Sequence, residues 1–125
     1  MIFICYSKCT TCKKAKAYLD SSDIPYEQRD IKEDNPSYDE LKKWLAGSGL
    51  SVRRFFNTSG LLYKSLNLKD KLPSLSEDVC LRLLATDGML VKRPLLIGSD
   101  DILVGFKQGE WESVLVPVKD AIEQI

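Results

Sequence analysis

The chain has 125 residues, 44% of them hydrophobic, with 18 Lys plus Arg set against 18 Asp plus Glu. That is enough to bury a core without disulfide staples, and the balanced charge argues against a general nucleic-acid binder. Four irregularly spaced cysteines, no basic start leading into an apolar h-region and no apolar run of bilayer length read as one cytoplasmic domain, without signal peptide or membrane anchor, where thiols stay reduced.

Residues 2–6 read as a buried strand and 10–20 as an amphipathic helix ending near Ser21-Ser22-Asp23. Pro25 to Ile31 alternates more weakly and suits a strand nearer an edge. Ser37 and Glu40 have the spacing of a capping box, opening a helix whose apolar face is Tyr38, Leu41, Trp44 and Leu45 and which Gly47 and Gly49 end. Residues 51–67 are helical in pieces, interrupted at Asn57-Thr58-Ser59-Gly60. A helix after Pro73-Ser74 carries Val79, Cys80, Leu83 and Leu84 on one stripe and stops at Asp87-Gly88. Two short strands, Pro94 to Ile97 and Ile102 to Phe106, flank the hairpin signal Gly98-Ser99-Asp100-Asp101. A last helix carries Trp111, Val114 and Leu115, with Pro117 bending or restarting it.

Between the first strand and first helix lies Cys9-Thr10-Thr11-Cys12. Free helix N–H groups, with Lys8, Lys13 and Lys14 nearby, favour a thiolate there, and residues three apart can close a small disulfide. A zinc site would need two more ligands, yet the chain has no His and no second C-x-x-C. Cys5 and Cys80 sit on apolar segments and read as small core residues that stay reduced while Cys9 and Cys12 oxidise. The local basic clusters, Lys8 to Lys16 and Arg53-Arg54, fit either an anionic substrate or solvated helix faces. A thiol pair after the first strand, a βαβ unit at the start and a hairpin near the end make a thioredoxin-type order.

Tyr6-Ser7-Lys8-Cys9-Thr10-Thr11-Cys12-Lys13-Lys14-Ala15, Leu50 to Asn57, Leu90-Val91-Lys92-Arg93-Pro94-Leu95-Leu96 and Val104-Gly105-Phe106 resemble, in that order, the ArsC arsenate reductase family, which also includes the Spx-type regulators. The resemblance implies an α/β thioredoxin-like fold with a mixed four-stranded sheet, a single domain over 1–125 and a helical insertion at about 35–90. It implies Cys9 as nucleophile in an oxyanion-binding loop, with Arg93 as one of three anion-holding arginines and a cis bond at Pro94. The middle arginine's position falls on Asn57, one helical turn from Arg53 and Arg54. The third falls near Gly105, with Lys107 the nearest cation, and about Cys5 stands where those enzymes have a His. Lys13 and Pro94 complete the expected substrate-binding set. The Spx branch accounts for the paired cysteines and the Val-Gly-aromatic run, although Ser59 lies where those regulators carry an arginine and the chain lacks an extended basic tail.

The expectation is a thiol-disulfide oxidoreductase in which Cys9 attacks, Cys12 resolves and Arg93 stabilises charge on an oxyanion or thiol substrate. No bound cofactor or metal is expected, and glutathione with glutaredoxin, or thioredoxin, would supply electrons from outside. The alternative is a redox-sensing regulator that binds the C-terminal domain of the RNA polymerase alpha subunit.

Overall fold

The computed structural model describes residues 1–115. The expected role of Pro117 lies outside the described residues. Four strands, β1 (Ile2–Cys5), β2 (Glu27–Asp30), β3 (Leu95–Ile97) and β4 (Ile102–Val104), form one mixed sheet in the order β2-β1-β3-β4. β2 runs parallel to β1, with Ile4 opposite Arg29; β3 runs antiparallel to β1, with Ile4 opposite Leu95. β4 returns antiparallel beside β3. The apolar β1 thus takes an interior position, and the polar strand Glu27-Gln28-Arg29-Asp30 takes an edge, where one side of its backbone can face water.

Period-two alternation divides the sheet residues between two cores. Phe3, Cys5, Leu96 and Leu103 pack with Ala15 and Leu19 of α1 (Thr10–Ser21) and Trp111 of α6 (Gln108–Val114). Ile4, Leu95 and Val104 point the other way. Against them pack α2 (Tyr38–Ser48), α3 (Leu61–Ser65), α4 (Leu68–Lys71) and α5 (Glu77–Leu84), together with intervening 3-10 turns at Val52–Phe55, Leu72–Ser74 and Gly88–Leu90. The result is the thioredoxin-like α/β arrangement, with a helical segment between β2 and β3.

Local chemistry explains most element ends. The Ser37 hydroxyl accepts from the Glu40 N–H while the Glu40 carboxylate accepts from the Ser37 N–H, both at 3.1 Å, so the capping box opens α2. α2 runs through Gly47, and Gly49 alone ends it with a left-handed φ of 68°. α5 starts at Glu77 behind the Ser76 cap, with Pro73 and Ser74 in the preceding 3-10 turn. Its buried stripe is Cys80, Leu81 and Leu84, the face that packs on the core, and Val79 falls on the other side, 44% exposed. Gly88 is held by proximity: a Cβ there would lie 1.8 Å from the Ile31 carbonyl oxygen, so the segment before β3 packs directly on the backbone that leaves β2.

Candidate active site

Cys9 is the N-cap of α1, and its sulfur accepts the Cys12 backbone N–H at 3.4 Å. Its own N–H donates to the Tyr6 carbonyl at 3.0 Å, which folds the loop after β1 back on itself. Cys9 is half-buried, whereas Cys12, one turn later on the inner face, is 3% exposed. The Cys12 sulfur accepts the Tyr6 N–H at 3.3 Å, placing it at the end of β1. Both thiols are free in this structure.

β3 brings Arg93 to this loop. With Leu95 opposite Ile4, the residues before β3 lie beside those after β1. The Arg93-Pro94 bond is cis, the Arg93 guanidinium lies 5.2 Å from the Tyr6 ring centroid, and Arg93 lines the same cavity as Cys9. Burial pushes the Cys9 thiol up, but the hydrogen bond from the Cys12 N–H and the nearby positive charge of Arg93 leave it below the ordinary thiol value. Cys12 moves the opposite way: its hydrogen bond to Cys5 and its burial raise it.

A second set of contacts adds the middle segment. Phe56 bridges Val91, the Lys92 N–H donates to the Phe55 carbonyl at 2.7 Å, and the Asn57 N–H donates to that of Leu90 at 2.8 Å. These bonds hold the turn after Phe55 against the approach to Arg93. Between them opens a cavity of about 1210 Å³ lined by Cys9, Arg53, Arg54, Asn57, Lys92 and Arg93, among others. Gly105 and Lys107 line it from the end of β4, and Asp87 is its acidic residue. The Asp87 carboxylate accepts the Met89 N–H at 2.8 Å, so part of its capacity is used locally.

Of the expected site residues, Cys9, Arg53, Arg54, Asn57 and Arg93 meet at this cavity. Cys12 and Pro94 are buried and do not line it; the Pro94 carbonyl accepts the Gly105 N–H at 2.8 Å. Lys13 does not join them. It is exposed on α1 and absent from the lining, because the helix turn that buries Cys12 carries the next residue outward. Sequence reasoning passed over Lys92, which precedes the recognised Arg-Pro pair, and the nearness of Cys5 to Cys12. The alternation of β1 carried the second signal, since it puts Cys5 on the face that α1 covers.

The ArsC family model matches residues 5–114. The chain is 47% identical over 112 residues to the uncharacterized protein YusI of Bacillus subtilis, covering 90% of this chain and 95% of that one. It is 31% identical over 102 residues to the global transcriptional regulator Spx of Listeria innocua, covering 82% of this chain and 76% of the regulator. A solved structure described as a possible arsenate reductase, from Streptococcus mutans, superposes with a TM-score of 0.83 at 44% identity, over 91% of this chain and 97% of that one. The family match runs from the end of β1 to the end of α6 and includes every residue named above in the cavity and its thiol pair; the chain belongs to the ArsC family.

Proposed function

We propose that the protein is a thiol-disulfide oxidoreductase acting on an anionic substrate, with Cys9 as nucleophile and Cys12 as resolving thiol. The observation that carries this reading is the position of Cys9 on a cavity rimmed by Arg53, Arg54, Lys92, Arg93 and Lys107, with Asp87 as the acidic residue facing them. Such a rim attracts an anion and stabilises negative charge that develops as the reaction proceeds.

With a disulfide substrate, the Cys9 thiolate attacks one sulfur, a mixed disulfide forms and the other sulfur leaves as a thiolate. Cys12 loses its proton and attacks the Cys9 sulfur, which releases the second substrate thiol and leaves a Cys9–Cys12 disulfide. With a pentavalent oxyanion, Cys9 displaces an oxygen as water or hydroxide to give a sulfur adduct. Attack by Cys12 on Cys9 then leaves the bonding pair on the central atom, reduced by two electrons. In both cases glutathione with glutaredoxin, or thioredoxin, returns two electrons to the pair. The cavity, about 1210 Å³, is roomy enough for a disulfide-bearing anion of peptide size as well as for an oxyanion.

The identity to Spx supports a second reading, a redox-controlled contact with the alpha subunit of RNA polymerase. The two separate in one comparison. Turnover of hydroxyethyl disulfide and of arsenate is measured with each donor system, alongside capture of the C-terminal domain of that alpha subunit by reduced and oxidised protein. The enzyme reading expects turnover that Cys9→Ser lowers on the order of 10³-fold or more. Absence of turnover with both substrates, together with oxidation-dependent capture, would replace it with the regulator.

A further inference from the structure

Three thiols, not two, meet at the base of the site. Cys5 and Cys12 are buried in the same core, and Cys9 packs against it from the cavity side. Cys5 is the last residue of β1, is 5% exposed, and receives the Gln28 side-chain amide on its sulfur at 3.5 Å. The Tyr6 N–H bond to the Cys12 sulfur holds that atom at the same strand end. Cys80, the remaining cysteine, belongs to the other core. Cys5 is therefore the one thiol outside the C-x-x-C that adjoins the resolving sulfur.

We propose that Cys5 is a second resolving residue, which takes Cys12 from Cys9 after the Cys9–Cys12 disulfide has formed. The inference deepens the oxidoreductase reading and rests on it. The Cys5 thiolate attacks the Cys12 sulfur, the Cys9–Cys12 bond breaks, a Cys5–Cys12 bond forms and Cys9 leaves as a thiolate. No electrons are gained or lost in this exchange. The proton given up by Cys5 goes to solvent or to the departing Cys9, according to pH. The substrate disulfide of the preceding step is the oxidant for the whole sequence.

Geometry favours attack at Cys12, because that sulfur shares a core with Cys5 and is bonded to the Tyr6 N–H that follows Cys5, whereas Cys9 opens on the cavity. The leaving group is favourable too, since the Cys12 N–H and Arg93 that stabilise the Cys9 anion remain in place to receive it. In the resting site the bond from the Cys12 thiol pulls the Cys5 thiol below its ordinary value against the opposing effect of burial. The consequence is an oxidising equivalent stored beneath α1, with Cys9 free to form a mixed disulfide with a further partner.

Peptide mapping reads the exchange directly, because trypsin cuts after Lys8 and Lys13. A Cys9–Cys12 bridge is a loop within one peptide, 9–13, while a Cys5–Cys12 bridge joins peptides 1–8 and 9–13 and leaves Cys9 open to label. Reduced full-length protein is treated with hydroxyethyl disulfide, quenched in acid at intervals, labelled with N-ethylmaleimide and digested. The loop should appear first and then yield to the linked pair, which should reach at least a tenth of total disulfide, with the label on Cys9. Cys5→Ala should abolish the linked pair and lower Cys9 labelling of the oxidised protein at least fivefold, and Cys80→Ala should change neither. A loop that persists with Cys5 labelled throughout overturns the relay while leaving the oxidoreductase reading intact. So does a bridge from Cys5 to Cys9 with Cys12 labelled, or Cys9 labelling in Cys5→Ala equal to that of the wild type. Failure of any Cys9–Cys12 loop to form overturns both.

Discussion

At the scale of the residue, Cys9 and Cys12 show how one helical turn separates two chemically identical groups. Cys9 caps α1, accepts a backbone N–H and meets Arg93, so its anion is favoured; Cys12 is 3% exposed and hydrogen-bonded to Cys5, so its protonated form is favoured. Because Arg93 acts by lowering the Cys9 thiol, Arg93→Ala should shift the rate of Cys9 alkylation to higher pH, with Arg93→Lys between the two. An unchanged profile, read by mass-resolved iodoacetamide labelling, would remove Arg93 from the site. The spacing of the two cysteines and their place after an apolar run were legible in the sequence. The burial of Cys5 in the same core as Cys12 was not, since a cysteine inside an apolar strand has the same local signature whether or not another thiol shares its core.

Among the elements, the join between β2 and α2 carries the clearest pH signature. Arg29, whose side chain is 14% exposed, holds Glu40 through two bonds of 2.6 and 2.9 Å and lies 5.9 Å from the Trp44 ring. Its guanidinium draws the Glu40 carboxyl down to about 2 from 4.5, against burial and helped by the Ser37 N–H. A carboxyl depressed in the folded state contributes stability that is complete above its unfolded value and is lost as pH falls toward the folded one. Glu40→Gln should therefore cost about 1–2 kcal/mol at pH 7 once solvent screening of a partly exposed pair is counted. The gap between variant and wild type in thermal denaturation should narrow from about pH 4.5 and close near pH 2. A gap constant with pH would assign the effect to packing. The capping box was readable from Ser37 and Glu40 alone; that Glu40 also grips Arg29 was not, because eleven positions separate them and only the crossover from β2 brings them together.

For the whole molecule, the sheet is the shared wall of two cores, and each holds one of the two tryptophans: Trp44 in the core beneath α2 and α5, Trp111 in the core beneath α1 and α6. If the chain folds as one domain, the two faces melt together, because Ile4 and Phe3 are neighbours on the same strand and neither core can lose β1 alone. Single-tryptophan forms made by Trp44→Phe and Trp111→Phe should each give a urea midpoint by fluorescence that coincides with its own midpoint by circular dichroism. Separate midpoints would show the helical segment between β2 and β3 unfolding apart from the sheet. The sequence by itself determined the order of strands and helices, the interior character of β1, the polar edge of β2 and the thiol pair at a helix start, because periodicity, caps and turn residues act over a few positions. The family resemblance had grouped Arg53, Arg54, Asn57 and Arg93 around Cys9; only the tertiary structure decided that Lys92 joins them on one cavity, that Lys13 stands outside it and that Cys5 shares a core with Cys12. Those relations depend on strand register and on the Phe56 to Val91 bridge, contacts between distant segments that no local pattern encodes.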